Sequence, residues 1–326
     1  MKDSANTKVV LISTSGNGVR KRNRIRFQSL VLTNMKDMDM ISQRFPVVSL
    51  GGLGKEWVFF TGAGCSAASG LPTFRGEGGV WNEIDADAVA TKKAWYCGRR
   101  SDCKERRQRV LDFFNPIRRK IIELEPNEAH YMIAQFERVA SSVTVITQNG
   151  DDFHERAYSR NVIHLHGEAL KNCSTLHPYD PIDIDIYDSD TDIHIGDKAE
   201  DGSQIRPYVI FFDEELDKNI WKRAVTVCKE ADIFVIVGSS LTVYPAVDLL
   251  SMTKPSCSVI VIDKDEVVLP QSVLSRNKVQ FIRAEAAEGL NSLFLDVRRD
   301  YYSGFSGLYF KQYPYQKELD ELGIIQ

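Results

Sequence analysis

The chain has 326 residues, 43% hydrophobic and 26% charged, with a net charge of −4. That length gives a sizeable core and about two domains. The mild acidity argues against a general nucleic-acid binder, and no apolar run approaches the ~18 residues of a membrane span.

Residues 1–54 form an N-terminal extension, expected to be flexible, with a basic run from Arg20 to Arg26. An Arg-rich, acid-poor start fits a mitochondrial transit peptide, a nuclear address or a solvated basic arm. No apolar segment of signal-peptide type opens it, so an intracellular protein is expected, with cytoplasm, nucleus and mitochondrion left open. The cysteines (Cys65, Cys97, Cys103, Cys173, Cys228, Cys257) form no Cys-x-x-Cys and read as free thiols in a reducing compartment.

Trp57–Phe60 predicts a strand entering a Gly62-x-Gly64 turn, followed by the small residues of a short helix. The third glycine of a dinucleotide fingerprint is missing, since position 67 is Ala. From Ser69 to Gly76, Pro72 and two glycines break any helix, leaving a loop that carries Phe74 and Arg75 like a lid. Residues 81–140 read as largely helical, with a helix starting at Pro126-Asn127. Val143–Ile146 is a β-branched strand running into Thr147-Gln148-Asn149-Gly150-Asp151-Asp152-Phe153-His154. Taken alone, Asn149-Gly150-Asp151 is also a plain turn sequence. Val162–Leu165 is a short strand ending on His166-Gly167; alternation puts His164 and His166 on one face and cannot choose between them.

Residues 168–205 are polar and acidic, with 183–188 alternating like a half-buried strand. Asp188-x-Asp190-x-Asp192 evokes a calcium loop, but Ile193 and Ala199 stand where Gly and Glu are needed. Strands at 57–60, 143–147, 162–165, 208–212, 233–237 and 258–262 alternate with helical stretches. The fold class is therefore α/β, a doubly wound parallel sheet of Rossmann-like type interrupted by insertions at about 81–140 and 168–205. A C-terminal helix and tail occupy 291–326. The polar clusters sit at the carboxyl ends of strands, where open α/β sheets bind ligands.

Four segments in order, Gly62-Ala63-Gly64-Cys65-Ser66 through Phe74-Arg75, Thr147–His154, Leu165-His166-Gly167 and Gly238-Ser239-Ser240-Leu241 through Pro245-Ala246, resemble the sirtuin (Sir2-like) family of NAD-dependent protein deacylases. The resemblance spans about residues 55–290. It implies NAD as cofactor, acylated protein lysines as partners, no direct nucleic-acid or membrane partner, and a small domain made by the two insertions. It makes His166 the base, a role that suits an imidazole because its pKa lies near neutrality. Asn149 and Asp151 would hold the nicotinamide and Gln148 a ribose. Gly62, Ala63 and Gly64 would offer backbone to phosphates, and Ser66 would cap the helix or reach phosphate. Phe74 would shield the ribose from water, and Arg75 would give a fork for phosphate or ribose oxygens. Gly238, Ser239 and Ser240 would form a second cradle, Asp263 would meet the adenine ribose, and Ala286 aligns loosely with an adenine loop. Phe212, Asp213 and Glu214 lie on the substrate strand that an acyl-lysine peptide would join.

Departures are Gly150, Asp152 and Asp213 in the motifs and Thr73 in the lid. The zinc-ribbon cysteine pairs are lacking: 168–205 holds Cys173, His177 and His194 but no closed ligand set, so no metal is expected and zinc is unlikely. These departures keep a second reading open, an ADP-ribosyltransferase or NAD hydrolase without deacylation. The family's succinyl-removing class reads the acyl carboxylate with a Tyr and an Arg three residues apart; here those positions are Phe114 and Ile117. Uncharged acyl groups are therefore expected, unless Pro116 shifts the helix and brings Arg118 into place.

Overall fold

The computed structural model describes residues 55–303, apart from 77, 99, 187–189 and 277; side chains are described through Val297. The N-terminal extension and the tail beyond 303 lie outside the described residues. The strands are β1 (Glu56–Thr61), β2 (Ser142–Thr147), β3 (Val162–His164), β4 (Gly167–Ser174), β5 (Pro181–Ile182), β6 (Ile205–Val209), β7 (Ile233–Val237), β8 (Ser258–Asp263) and β9 (Val279–Arg283). The helices are α1 (Ala63–Ala67), α2 (Ala86–Val89), α3 (Lys92–Trp95), α4 (Cys103–Glu123), α5 (Glu128–Phe136), α6 (Phe153–Arg156), α7 (Lys218–Glu230), α8 (Asp248–Ser251), α9 (Gln271–Leu274) and α10 (Ala286–Ser303).

Six strands form one parallel sheet in the order β3-β2-β1-β7-β8-β9. Its central strands are buried on both faces, which is why they read as continuous apolar runs. Alternate residues serve opposite layers. Val58, Phe60, Phe234 and Ile236 pack under α7, α8 and α9. Trp57, Phe59, Val235 and Ile260 pack under α5 and α10, with Ile133, Phe136, Leu290 and Leu293 facing them. The doubly wound architecture is thus as expected, and α10 begins at Ala286, ahead of the 291 boundary read from sequence.

The 208–212 strand is not part of this sheet. It lies at 205–209 as β6 and pairs antiparallel with β4 in a separate three-stranded sheet, β5-β4-β6. The chain leaves β3, turns at His166 and enters β4 directly; a Cβ on Gly167 (φ 81) would lie 2.3 Å from the Tyr208 carbonyl oxygen. Beneath the small sheet, α3 and α4 contribute Trp95, Val110, Leu111 and Ile121 to a third core with Leu170, Ile193 and Phe211. The half-buried strand expected at 183–188 is irregular over 183–186, its described part; only Pro181–Ile182 next to it pairs with β4.

Cys97 and Cys103 are joined in a disulfide, a correction to the free-thiol reading: the loop between α3 and α4 brings their Cα atoms to 5.4 Å. The other four cysteines are buried and free.

Cys173, His177 and His194 are not brought together. Cys173 is buried near the Pro207 carbonyl, with its thiol pushed up to about 11 by burial, and His194 bonds Asp190. Within that insertion a hydrogen-bonded clasp ties the end of β4 to the approach of β6. Ser174 Oγ donates to the Asp201 carboxylate, lies 2.8 Å from Ser203 Oγ, and accepts from the Leu176 and His177 N–H groups at 3.0 and 3.3 Å. Thr175 N–H adds a bond to the Gln204 carbonyl at 3.1 Å. The Ser174 hydroxyl and then the Ser203 N–H hold Asp201 below the usual carboxylate range. A depressed carboxylate stabilises above its unfolded pKa and loses that effect as pH falls through its folded one. Asp201→Ala should therefore lower Tm at neutral pH, by an amount that shrinks in acid, whereas a chelator should leave the Tm of the unaltered protein unchanged. Unfolding on chelation, with stoichiometric zinc by elemental analysis, would contradict this.

Candidate NAD and acyl-lysine site

The turn after β1 and the turn after β7 are wedged together. A Cβ on Gly62 would stand 2.7 Å from the Gly238 carbonyl oxygen, and one on Gly238 (φ 58) 2.4 Å from the Cys65 nitrogen. Only Cβ-free residues allow this approach. The contact has a consequence for Gly64, whose N–H donates to the Gly238 carbonyl at 2.9 Å. It is thus committed to the neighbouring turn, and of the expected phosphate donors in this turn Ala63 remains. Ser66 neither caps α1, whose N-cap is Gly62, nor reaches outward; it is 2% exposed. Its hydroxyl donates to Asp151 Oδ2 at 2.8 Å and accepts from Asn149 Nδ2 at 3.0 Å.

Asn149 and Asp151 follow β2 and face this hydroxyl. Asn149 Nδ2 also donates to the Gly62 carbonyl at 3.0 Å, and Asp151 Oδ1 accepts the Phe153 N–H at 3.3 Å. Burial raises the Asp151 carboxyl to about 6, against the pull of its bonds from Ser66 and Phe153. Asp152 pairs with Arg156, its carboxylate 3.5 Å from the guanidinium, and its charge adds a smaller upward push on Asp151. Gln148 Nε2 donates to Ser239 Oγ at 2.8 Å, linking this loop to the second cradle.

The histidines separate by their nitrogens. His164 is buried, with Nδ1 3.1 Å from the Asn149 carbonyl and Nε2 2.8 Å from Glu155. Burial alone would lower its pKa, but the bond and charge of Glu155 turn the shift upward. His154 is fully buried, with Nε2 on Thr61 Oγ1 at 3.0 Å. His166, half-buried at the junction of the two sheets, donates Nδ1–H to the Gln148 carbonyl at 3.1 Å. With its proton on Nδ1, the neutral ring carries the lone pair on Nε2, which has no hydrogen-bond partner among the described residues. Burial pushes the imidazole below its usual value, with the Gln148 bond acting the other way.

Over this site the lid is latched to the second cradle: Arg75 donates to Thr242 Oγ1 at 2.7 Å, and Thr242 lies 3.0 Å from Ser240 Oγ. Phe74 stacks on Trp81 with ring centroids 5.3 Å apart, and the aromatic row continues through Phe113 (5.5 Å), Phe114 (4.9 Å) and Phe211 (5.9 Å), with Phe212 6.1 Å from Trp81. Trp81 and Thr242 were not singled out from sequence; the apolar and hydroxyl character of their neighbours was their only signal.

The substrate strand is modified in one respect. The Phe212 N–H and C=O are bonded to the Ala90 carbonyl and the Lys92 N–H, so one edge of the strand is occupied. Asp213 adopts φ 67, a left-handed conformation that favours glycine and that Asp tolerates better than most residues. Glu214 does not face substrate. Its two oxygens bind the buried Arg206 guanidinium at 2.6 and 2.9 Å and one accepts the Phe211 N–H at 2.8 Å, so it holds the loop from inside. Arg118 is likewise fully buried, donating to the Ala169, Lys171 and Thr191 carbonyls at 2.7, 3.2 and 2.9 Å. The helix shift that would aim it at substrate does not occur.

At the far end, Asp263 closes β8 beside a cavity of about 430 Å³ lined also by Val267, Phe281 and Arg283. Ala286 opens α10, the helix that follows β9. Cys65, His130 and His154 place possible ligand atoms within 4.8 Å of one another. They are not a metal set: His130 uses both ring nitrogens in hydrogen bonds, and burial pushes the Cys65 thiol well above its ordinary range.

The Sir2 family model matches residues 62–245. An NAD-dependent protein deacylase of Bacteroides thetaiotaomicron is 38% identical over 240 residues, covering 73% of this chain and 96% of that protein. Among solved structures, a Sir2 homologue in complex with NAD superimposes with TM-score 0.60 at 28% identity, covering 81% of this chain and 94% of its own. A Sir2 protein bound to a myristoylated histone peptide gives TM-score 0.56 at 26% identity, covering 83% and 100%.

Proposed function

This chain belongs to the Sir2 family and is an NAD-dependent protein deacylase, and from that premise we propose how its residues divide the work. NAD supplies, when bound, an electrophilic ribose carbon with nicotinamide as its leaving group. The Cβ-free turns at Gly62 and Gly238, with Ser239 and Ser240, hold the phosphate and ribose end, and Asp263 accepts from the adenine ribose hydroxyls. Asn149 and Asp151 hold the nicotinamide carboxamide in a pocket closed from behind by Ser66. Phe74 and Arg75, latched through Thr242, exclude water from the reacting end.

His166 is the base. The observation that carries this is its single committed nitrogen: Nδ1–H on the Gln148 carbonyl fixes the tautomer and leaves Nε2 to take a ribose hydroxyl proton. His164 and His154 have their Nε2 atoms engaged. The substrate is an acylated lysine in a protein, laid against Phe212 and Asp213, with its acyl group directed along the Trp81–Phe113–Phe114 row. The likeness to a Sir2 protein holding a myristoylated histone peptide supports that placement.

The test is the acyl dependence of nicotinamide release. With NAD and an acetyl-lysine peptide, nicotinamide should appear at least about 10²-fold faster than with the same peptide unacylated. Equal rates would favour the alternative NAD hydrolase. Since Asp152 pairs with Arg156 and Asp213 keeps the backbone course, neither departure by itself supports that alternative.

A further inference from the structure

His130 was not among the site residues expected from sequence, and of those residues it bonds Ser66, at the back of the nicotinamide pocket. It sits in the first turn of α5, fully buried, behind Ser66. Its two nitrogens are both engaged, and their partners fix the direction of every proton in the network. The Asn127 backbone N–H points at Nδ1 at 3.2 Å, within a capping box, so Nδ1 must be the acceptor. The ring proton is therefore on Nε2, which faces Ser66 Oγ at 3.3 Å and donates to it. Asn149 Nδ2 donates to the same oxygen at 3.0 Å. With both lone pairs of Ser66 Oγ filled, its own proton has one direction left, toward Asp151 Oδ2 at 2.8 Å.

We propose that His130 is a positioning residue for the deacylase reaction. By donating to Ser66 it locks the serine hydroxyl onto Asp151, keeping that carboxylate oriented and ionised as the acceptor of the nicotinamide pocket. This rests on the reading that Asp151 works in that pocket. A neutral imidazole suits the task, because a second proton on Nδ1 would meet the Asn127 N–H head-on. Burial holds His130 down to about 4, so it stays neutral at neutral pH. Toward Asp151 the surrounding ionisable groups are His164, Asp152 and the Cys65 thiol; toward His130 they are Glu155, Arg156 and His154, whose ring lies 4.8 Å away. None of these changes in the variants below.

The sign follows from the carboxylate. Removing the directed donor makes the ionised form less favourable, so the Asp151 titration moves up in pH, and any affinity that needs the carboxylate is lost from a higher pH. The measurement is NAD affinity against pH by titration calorimetry, made in a His166→Ala background so that the base does not contribute its own titration. His130→Phe should move the acid limb of NAD affinity upward by about one pH unit. His130→Gln, whose amide N–H can reach Ser66, should restore much of it. Ser66→Ala should shift the limb in the same direction, and the Ser66→Ala/His130→Phe double variant no further, because both act through one hydroxyl.

An unshifted limb in folded His130→Phe overturns the proposal. Should that variant fail to fold, Ser66→Ala decides: an unshifted limb there also overturns it. Asp151→Asn separates the two layers. If it leaves NAD affinity and its pH profile unchanged, the reading of Asp151 fails. If it abolishes the acid limb while His130→Phe retains it at the original pH, only the role of His130 fails.

Discussion

Replacing His166 with alanine should lower kcat/KM for an acylated peptide by about 10³-fold, while Kd for NAD at neutral pH should stay within about twofold. The split follows from where the imidazole acts. Its Nδ1–H is held by the Gln148 carbonyl and its Nε2 has no hydrogen-bond partner among the described residues, so its loss should remove a proton acceptor from the chemical step and leave the phosphate cradle alone. His164→Ala behaves differently. That ring is buried between Glu155 and the Asn149 carbonyl, and its removal leaves partners unsatisfied at about 1–3 kcal/mol. The expected result there is a lower Tm with kcat/KM falling far less than in His166→Ala. A pH profile adds a further check. Because burial lowers the His166 pKa, its base form persists to lower pH than for an ordinary histidine, and rate loss from protonating it should begin below the usual imidazole range. Full turnover in His166→Ala with loss in His164→Ala would reverse the assignment of the two histidines.

Succinyl-lysine should be a poor substrate, with kcat/KM about 10²–10³-fold below that for acetyl- or longer apolar acyl-lysine peptides. A carboxylate placed along the row of Trp81, Phe113 and Phe114 would lie against aromatic rings. Burying it there unpaired costs several kcal/mol, roughly. Arg118, one residue beyond Ile117 on α4, is fully buried with its guanidinium on three backbone carbonyls, and Arg75 is tied to Thr242. The double substitution Phe114→Tyr/Ile117→Arg should therefore raise succinyl-lysine kcat/KM by about tenfold or more while lowering that for apolar acyl groups. Arg118→Met should instead lower Tm through the carbonyls it leaves unpaired, with no change in acyl preference. Succinyl preference that collapses in Arg118→Met would show that the buried assignment of Arg118 is wrong.

The parallel core was legible because its strands are apolar on both faces. Trp57–Phe60 and Ile233–Val237 have no polar alternation to confuse, and each runs straight into a glycine turn. The edge strand β9 was missed, since Ile282 is its buried residue while Phe281 and Arg283 face outward and Val279 and Gln280 are partly covered. The small sheet was misread because β4, Gly-Glu-Ala-Leu-Lys-Asn-Cys-Ser, mixes small and polar residues and pairs with β6 about forty positions later. Pairing over that separation leaves no local signature, so β6 was assigned to the larger sheet.

Within the site, the residue types were easier to find than the bonds that arrange them. His166, Asn149 and Asp151 are chemical types in a recognisable order. Their arrangement depends on Ser66 and His130, which come from two other helices, and on which nitrogen of each histidine has a partner. Alternation could not rank His164 against His166; the difference is a Glu155 carboxylate nine residues earlier that folds back onto one ring. Glu214 was misjudged for a related reason: an acid beside a substrate strand suggests contact with peptide, but the buried Arg206 guanidinium claims both its oxygens.

The most direct measurement is the mass of the products from one turnover reaction containing NAD and an acetyl-lysine peptide. Deacylated peptide, nicotinamide and O-acetyl-ADP-ribose are expected in equal amounts, and His166→Ala should form deacylated peptide and O-acetyl-ADP-ribose about 10³-fold more slowly. A peptide that retains its acetyl group and gains the mass of ADP-ribose, or free ADP-ribose formed without loss of acetyl, would contradict that expectation.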